Sequence, residues 1–294
     1  MKKNLLPVLI ALLLAACEKT IPQADILVAE GWIEEGRHPV VFLHKAVRLD
    51  GDEMEMEEMM RQSIVYSARV FVSDGTDSVQ LIAKIDTTKL PPYYYHNVRI
   101  TGQAGKTYTL TVDYQGQALT STTTLPATVP IDSIVISKTE YQPGMREVII
   151  HFHDNPATSD YYALFYCTGG QTQYTLASLG VRDDTSWQGQ HVVWRLNRSR
   201  TLLDNEDAFR FAVGDTVSVK LAHIDAASYA FWSSFASASM ANTWIFMSKT
   251  QIGGNINGGL GCWCGYGSDI RSIVIPAADT AFVYAEESDF PSGL

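Results

Sequence analysis

The strongest constraint on the fold is a run of alternating side chains in the first half of the chain, KTYTLTVDYQGQALTSTTTL (Lys106–Leu125). Before the turn, tyrosine, leucine and valine take every second position, and threonine or aspartate takes the positions between them. Successive side chains of a β-strand point to opposite faces, so this pattern buries one face and leaves the other in water. Gln115-Gly116 lies between the two halves as a turn, and the segment therefore predicts a β-hairpin.

Similar short strand patterns recur along most of the chain, whereas one segment has helical spacing. The strand candidates are His38–Val47, Tyr66–Ile85, Ser133–Ser137, Arg146–His153, Asp160–Cys167, Thr172–Leu179, His191–Leu196 and Asp215–Ile224. One helix is predicted near residues 225–241, with Asp225 as its N-cap. Its Tyr229, Trp232, Ala236 and Met240 fall on one stripe at helical spacing. The sequence therefore predicts an all-β fold with one helix.

Two prolines in Leu125–Pro130 mark a stiff, extended connection between two β-rich regions. The short alternating strands before this connection favour an immunoglobulin-like β-sandwich over residues 25–126. The longer strands after it favour a larger β-sandwich or a partly open barrel over residues 131–294. We therefore predict two domains.

The N-terminal segment MKKNLLPVLIALLLAAC (Met1–Cys17) is typical of an exported bacterial lipoprotein. Two lysines precede an apolar stretch that is too short to span a membrane. Its end, Leu14-Ala15-Ala16-Cys17, looks like a lipobox, in which the cysteine becomes the new N-terminus and carries lipid. We predict a signal peptide over residues 1–16, lipidation at Cys17 and a tether over residues 17–24. Several acyl chains make an essentially permanent anchor, so the predicted partner is a membrane.

The residue after the predicted anchor indicates which membrane holds the protein, and the charge of the chain indicates which partners it does not bind. Glu18 stands where an aspartate retains many lipoproteins at the inner membrane, so we expect the outer membrane of the cell envelope. The formal net charge is −10, and loss of the signal peptide makes the chain more acidic because it removes two lysines. An acidic chain is a poor binder of nucleic acid, so we expect no nucleic-acid partner.

Three cysteines remain after Cys17, namely Cys167, Cys262 and Cys264. Export permits disulfides, but an odd number leaves at least one thiol free or paired between chains. Two interpretations stay open. Either Cys167 forms a disulfide with Cys262 or Cys264, or the close pair consists of two small, half-buried side chains on one strand.

A metal site is a further interpretation of the close cysteine pair. His151 and His153 share one face of a predicted strand, as Cys262 and Cys264 do, and two histidines with two cysteines would suit zinc. Nothing in the sequence shows that the two pairs meet, so we predict no metal and no cofactor. The glycine-rich Gly253–Asp269 lacks the lysine of a phosphate-binding loop and favours a strand that passes close to neighbouring backbone.

The signatures of the common hydrolases, Gly-x-Ser-x-Gly and His-Glu-x-x-His, are absent from the sequence. We therefore predict no enzymatic activity. An aromatic run, PPYYYHN, has rings that can stack on a sugar, or it enters a strand after a proline turn. Its Tyr93, Tyr94 and Tyr95 are the candidate ligand contacts.

Several stretches, taken in order, resemble one family. They are Ile26–Ile33, Gly102–Val112, Pro130–Ile134, Asp160–Tyr162, Tyr229 with Trp232 in the predicted helix, and Asn255–Gly261. The ordered set resembles the Bacteroidetes lipoproteins called domain of unknown function 4249, and it spans essentially the whole mature chain. That family often continues the last motif with Gly-Tyr-Phe, where this chain has Cys262-Trp263, so the cysteine pair is this chain's own variation.

The resemblance implies a partner but no catalytic residues. Members of the family are often encoded beside TonB-dependent outer-membrane receptors, which implies an accessory role in uptake. The leading prediction is a non-enzymatic, outer-membrane-anchored binding or accessory module for such a receptor. The alternatives are a surface hydrolase of glycans or peptides and a structural or adhesion protein of the envelope.

A second resemblance concerns modification. Proteins exported in these bacteria are often O-glycosylated where aspartate precedes serine or threonine and an apolar residue or threonine follows. Matches to this short motif predict modification at Ser78, Thr87, Ser133, Thr216 and Thr280. An intact mass equal to that of the unmodified lipoprotein would rule this modification out.

Overall fold

The structure is a computed structural model of the chain, and it describes residues 26–46, 62–87, 91–139, 144–171, 173–199, 209–243 and 252–284. The predicted signal peptide, the predicted lipidation site Cys17 and its tether lie outside the described residues. In the part of the chain that is described, no helix is both long and apolar enough to cross a membrane.

Strands dominate the described residues, and one long helix accompanies them. The strands are β1 Leu27–Glu34, β2 Val40–Lys45, β3 Arg69–Ser73, β4 Ser78–Ile85, β5 Tyr93–His96, β6 Thr107–Tyr114, β7 Gln117–Thr124, β8 Ser133–Lys138, β9 Met145–His153, β10 Tyr161–Thr168, β11 Thr175–Asp183, β12 His191–Leu196, β13 Phe211–Ala212, β14 Thr216–Ile224, β15 Leu260–Val274 and β16 Thr280–Val283. The helix, α1, spans Ala226–Thr243. The prediction of a mostly β fold with one helix is confirmed, and the large sheets do not close into a barrel.

An eleven-stranded sheet connects the two halves of the chain, in the order β11-β10-β14-β15-β1-β2-β5-β4-β3-β6-β7. β1 pairs with β15 in parallel, whereas β2 and β14 flank this pair in antiparallel fashion. Strand β15 comes from the end of the chain but lies beside the first strand, so both predicted halves contribute to one sheet. The division into domains between residues 126 and 131 stays a prediction.

The first core lies among the inward side chains of β1–β7. In β6 the buried Tyr108, Leu110 and Val112 alternate with more exposed polar residues, and the predicted hairpin is confirmed as β6 and β7. Each fully buried aliphatic side chain of this kind stabilises the fold by roughly 1.5–3 kcal/mol. Trp263 of β15 completes the cluster and donates its indole N–H to the Tyr108 carbonyl at 3.0 Å.

A second core lies between a five-stranded sheet and one half of the large sheet. The smaller sheet has the order β12-β9-β8-β16, with β13 beside β9. Its inward Phe152 and Trp194 belong to one buried cluster with Tyr162 of β10 and Val219 of β14. The two sheets therefore pack face to face as a β-sandwich.

Helix α1 covers the opposite face of the large sheet, where it packs on β10, β11 and β15. Asp225 caps the helix, because its Oδ1 accepts the Ser228 N–H at 2.8 Å. Its Oδ2 accepts the Thr123 hydroxyl of β7 at 2.7 Å. Trp232 packs against Phe165 of β10, with ring centres 5.1 Å apart. The cap predicted at Asp225 is confirmed, and it also ties the helix to the first half of the chain.

The glycine-rich segment that leads into β15 is shaped by close approach to other backbone. Gly261 has a φ of +106°, and a Cβ at this position would collide with the carbonyl oxygen of Ala29. The Asn255 amide brackets Trp263, since it donates to the Trp263 carbonyl and accepts the Trp263 N–H, both at 2.8 Å. The segment is therefore a strand that passes close to neighbouring backbone, as predicted.

Candidate functional site

An aromatic ladder crosses β1, β2 and β5 on the face turned away from the first core. Its rings, in spatial order, are Trp32, Phe42, Tyr94, His96 and His38. The successive ring centres are 5.8, 6.0, 6.1 and 5.7 Å apart. Such separations are typical of interacting rings. Neighbouring strands lie about 4.8 Å apart, so the sheet itself sets this spacing.

An exposed aliphatic side chain extends the ladder onto β4. Ile82 is 62% exposed and pairs with His96 across the two strands. Lys84 pairs with Tyr94 on the same face. Ile82 therefore adds an exposed apolar side chain to the row of rings. Phe42 is itself buried, at 4% exposure, so the accessible members of this row are the four half-buried rings and Ile82. We call the five ladder rings together with Ile82 the aromatic surface.

The predicted ligand tyrosines divide between this surface and the interior. Tyr94 is half-buried in the ladder, whereas Tyr93 projects from the other face and lies against the exposed Tyr66, with ring centres 5.8 Å apart. Tyr95 is 2% exposed, and its hydroxyl donates to the Val65 carbonyl at 3.1 Å. Burial raises the pKa of Tyr95. As a correction to the prediction, Tyr95 is a core residue and does not present its ring to a ligand.

Two histidines end the ladder with defined ring orientations. His38 Nδ1 lies 2.9 Å from the Ile100 carbonyl oxygen, and His96 Nδ1 lies 3.0 Å from the Pro39 carbonyl oxygen. Because a carbonyl only accepts hydrogen bonds, each Nδ1 carries the proton and each Nε2 is the acceptor nitrogen of the neutral ring. The aromatic surface therefore combines apolar ring faces with directional hydrogen-bond acceptors.

The cysteines within the described residues, Cys167, Cys262 and Cys264, are free thiols in the interior. Cys262 and Cys264 lie beneath helix α1, whereas strand pairing places Cys167 opposite Ser218, which is opposite Ser272. Cys167 is therefore about eight residues along the strand from Cys264, or roughly 26 Å. A disulfide needs Cα atoms within about 7 Å. The disulfide interpretation is wrong, because the register of the sheet holds these cysteines apart.

The close cysteine pair consists of buried thiols on one strand. Cys262 and Cys264 are 5% and 0% exposed, and both belong to the cluster under helix α1. The hydrogen bond to Cys264 and then burial raise the pKa of the Cys262 thiol well above its ordinary value. A buried thiol that stays protonated, as at Cys262, is a poor nucleophile and a poor metal ligand. The interpretation as small side chains is supported, with full burial in place of half-burial.

The predicted histidine and cysteine pairs do not meet. His151 and His153 project outward from β9 of the five-stranded sheet. Cys262 and Cys264 lie under α1 on the far face of the large sheet, with the second core between the two pairs. The two members of each pair share one face of their strand, but the two pairs lie in different parts of the molecule. The predicted set of two histidines and two cysteines therefore does not form a zinc site.

The structure contains a buried acidic cluster that no sequence motif predicts. Asp154, Asp160 and Asp184 bring carboxylate oxygens within 4.8 Å of one another, which is the donor type of a hard cation. Asp154 accepts the Tyr162 hydroxyl at 2.6 Å, and Asp184 accepts the Asp160 backbone N–H at 2.7 Å. Burial and then the bond to Asp154 raise the pKa of Tyr162 far above its ordinary value. These bonds tie together three chain segments at the ends of β9, β10 and β11, and no local spacing marks them.

The predicted modification residues lie at the ends of strands. Ser78, Thr87 and Thr216 are exposed, and Ser133 and Thr280 are half-buried. Their glycosylation stays a prediction.

The fold and these surfaces define a mostly β protein built on large open sheets, one of which carries the aromatic surface. The chain belongs to the family described as Domain of unknown function (DUF4249), whose sequence model matches residues 17–271. The match begins at the predicted lipidated cysteine and ends within β15. The predicted family is thereby confirmed. No match was found among curated proteins.

Proposed function

We propose that this protein is a non-enzymatic binding module, held at the outer membrane by lipid on Cys17, that acts as an accessory to a TonB-dependent uptake receptor. The observation that carries the binding role is the aromatic surface, which we assign to contact with the receptor. The lipobox over residues 14–17 supports the membrane anchor.

The aromatic surface suits a protein contact because four of its five rings are held on strands, whereas His38 lies in the loop before β2. Trp32, Phe42 and Tyr94 lie on three neighbouring strands of the large sheet. Aromatic side chains are enriched at interfaces, and tryptophan and tyrosine dominate binding hot spots. Rings that are already ordered lose little conformational entropy when a partner binds.

The acidic cluster gives no support to the hydrolase alternative. Its carboxylates are buried, and they accept hydrogen bonds from a tyrosine and from backbone N–H groups. A general acid or base must lie within hydrogen-bond reach of its substrate. These three aspartates therefore serve the fold and do not form an acid pair that faces a substrate.

Affinity purification from native outer membranes tests the proposal. The full-length, tagged lipoprotein is solubilised in mild detergent, and the proteins that co-purify are quantified by mass spectrometry. We expect a TonB-dependent β-barrel receptor with the wild-type protein. With a Tyr94→Ala/Ile82→Asn double variant we expect roughly tenfold less receptor, which corresponds to about 1.4 kcal/mol.

The matched control is Val283→Asn. Val283 of β16 is 61% exposed and lies in the five-stranded sheet, outside the aromatic surface. This variant should recover as much receptor as the wild-type protein. If the wild-type protein recovers no β-barrel, the accessory role is contradicted; if the double variant recovers as much as the control, the role of the aromatic surface is contradicted.

A further inference from the structure

Three histidines and an aspartate meet on the outer face of the five-stranded sheet. His151 and His153 are two residues apart on β9, so both project from the same face. His191 begins the neighbouring strand β12 and pairs directly with His153. Asp132 immediately precedes β8, which pairs with β9 on its other side. We call these four residues the histidine site.

Two histidines of the site, which share a hydrogen bond here, have the nitrogen separation of two ligands of one metal ion. Nδ1 of His151 and Nε2 of His191 are 3.2 Å apart. In a tetrahedral site, Zn–N bonds of about 2.0–2.1 Å separate two ligand nitrogens by roughly 3.3–3.4 Å. The ring of His191 is also close to that of His153, with centres 5.0 Å apart. One pair therefore already has ligand spacing, and the side chain of His153 must turn toward this pair for its Nε2 to bind the same ion.

Asp132 orients one of the three imidazoles. His153 Nδ1 lies 2.7 Å from Oδ2 of Asp132, so the proton is on Nδ1 and the lone pair of the neutral ring is on Nε2. Metal-binding histidines usually donate their other N–H to a carboxylate or carbonyl, which fixes the ring and raises its basicity. Asp132 is itself held in place, because its backbone N–H donates to the His151 carbonyl at 2.8 Å.

The histidine site is open to solvent although it is built on paired strands. The side chain of His153 is 51% exposed, and His191 is also exposed. The backbones of β8, β9 and β12 are fixed to one another by continuous pairing. An ion can therefore reach the imidazoles from solution without any change in the sheet.

We propose that His151, His153 and His191 bind one divalent transition-metal ion of the zinc class, with Asp132 as the positioning carboxylate. Imidazole nitrogens favour Zn²⁺, Ni²⁺ and Cu²⁺, whereas Ca²⁺ and Mg²⁺ prefer oxygen ligands. Three protein ligands leave the fourth tetrahedral position for water or for a group from a partner. This site replaces the prediction of no metal, and it does not depend on the aromatic surface, which lies in the other half of the chain.

Zinc titration of the metal-stripped, full-length protein tests the proposal. Calorimetry gives stoichiometry and affinity, and Co²⁺ absorption reports the coordination geometry. We expect one Zn²⁺ per chain and a tetrahedral Co²⁺ spectrum. His191→Ala should weaken Zn²⁺ binding at least 100-fold and abolish that spectrum, while Asp132→Asn should weaken binding about 10- to 100-fold.

Two further variants keep the result interpretable. His44→Ala removes a half-buried histidine of β2 outside the site and should bind as the wild-type protein does. His153→Gln changes an exposed side chain, so it serves as the ligand variant if His191→Ala fails to fold. The proposal is overturned if the wild-type protein binds no Zn²⁺, if the folded ligand variants bind as tightly as the wild-type protein, or if one ion is shared between two chains.

Discussion

At the scale of single residues, Glu34 and Lys220 form an ion pair that is almost removed from water and that joins β1 to β14 across β15. Each side chain is 6% exposed. The Lys220 Nζ lies 4.6 Å from the centre of the Tyr266 ring and 5.5 Å from that of Tyr174. Burial lowers the pKa of Lys220, and the charge of Glu34 opposes this shift. The pair is therefore stable only while both partners are present.

Removal of the carboxylate should be strongly destabilising. Glu34→Gln leaves the Lys220 ammonium buried without a counter-charge, so we expect a loss of about 3–5 kcal/mol in the free energy of unfolding. Urea unfolding measures this loss. The control is Asp113→Asn, which breaks the exposed pair with Arg69 and should cost less than about 1 kcal/mol. Equal losses for the two variants would contradict the assignment of a buried pair.

In the candidate sites, the sequence predicts which residues of one strand share a face, but it does not predict which residues of other strands lie beside them. Alternation along one strand correctly predicted that His151 and His153 share a face. The contribution of His191 and Asp132 depends on which strands flank β9, and the sequence contains no local signal of that pairing. In the same way, the run of three tyrosines suggested ligand contacts, but only the sheet decides that Tyr95 faces the core.

At the scale of elements, β15 is the strand that the separate packing clusters share. Trp263 belongs to the first core, Ile273 to the second, and Cys264 to the cluster under the helix. Its parallel partner is β1, and Gly261 lies opposite Ala29 in that register. The backbones of β1 and β15 approach so closely at this point that there is no room for a side chain at position 261.

A methyl group at this position should disrupt the pairing of β1 with β15. Gly261→Ala meets both a left-handed φ and a collision with the Ala29 carbonyl, so we expect a loss of more than about 3 kcal/mol. Gly105→Ala is the control, since Gly105 has a φ of +79° but open space around the added carbon. It should lose only about 1–2 kcal/mol. Equal thermal midpoints for the two variants would contradict the tight β1–β15 contact.

The elements that could be predicted from the sequence are those whose contacts lie close together along the chain. The β6–β7 hairpin was predictable because its strands are joined by Gln115-Gly116 and each alternates in polarity. The helix was predictable from Asp225 and the aromatic stripe that follows it. The parallel pair of β1 with β15 joins the two ends of the chain, and hydrophobic alternation does not specify a partner at that distance.

At the scale of the whole molecule, one sheet runs through both predicted halves of the chain. The strands after residue 131 form one side of this sheet and the strands before residue 126 form the other, and hydrogen bonding continues without a break where β15 meets β1. Asp225 and Trp263 add bonds from the second half to Thr123 and Tyr108 in the first. Separation of the halves would therefore expose part of the first core to water.

This continuity predicts that the chain unfolds in one cooperative transition. Calorimetric and van't Hoff enthalpies should agree, and fluorescence and circular dichroism should report the same midpoint. The buried Trp263 and Trp194 place a fluorescent probe in each core. Two resolved transitions would instead show that the halves are independent domains, which would contradict the structural role of β15.

The central claim is that the aromatic surface contacts an outer-membrane receptor, and photo-crosslinking in living cells tests it most directly. A photo-reactive phenylalanine analogue is placed at Ile82 in the full-length lipoprotein, and the same analogue at the equally exposed Val283 is the control. We predict a crosslink between position 82 and a TonB-dependent β-barrel receptor, with none from position 283. A crosslink from position 283 alone, equal crosslinks from both positions, or none from either would contradict the account.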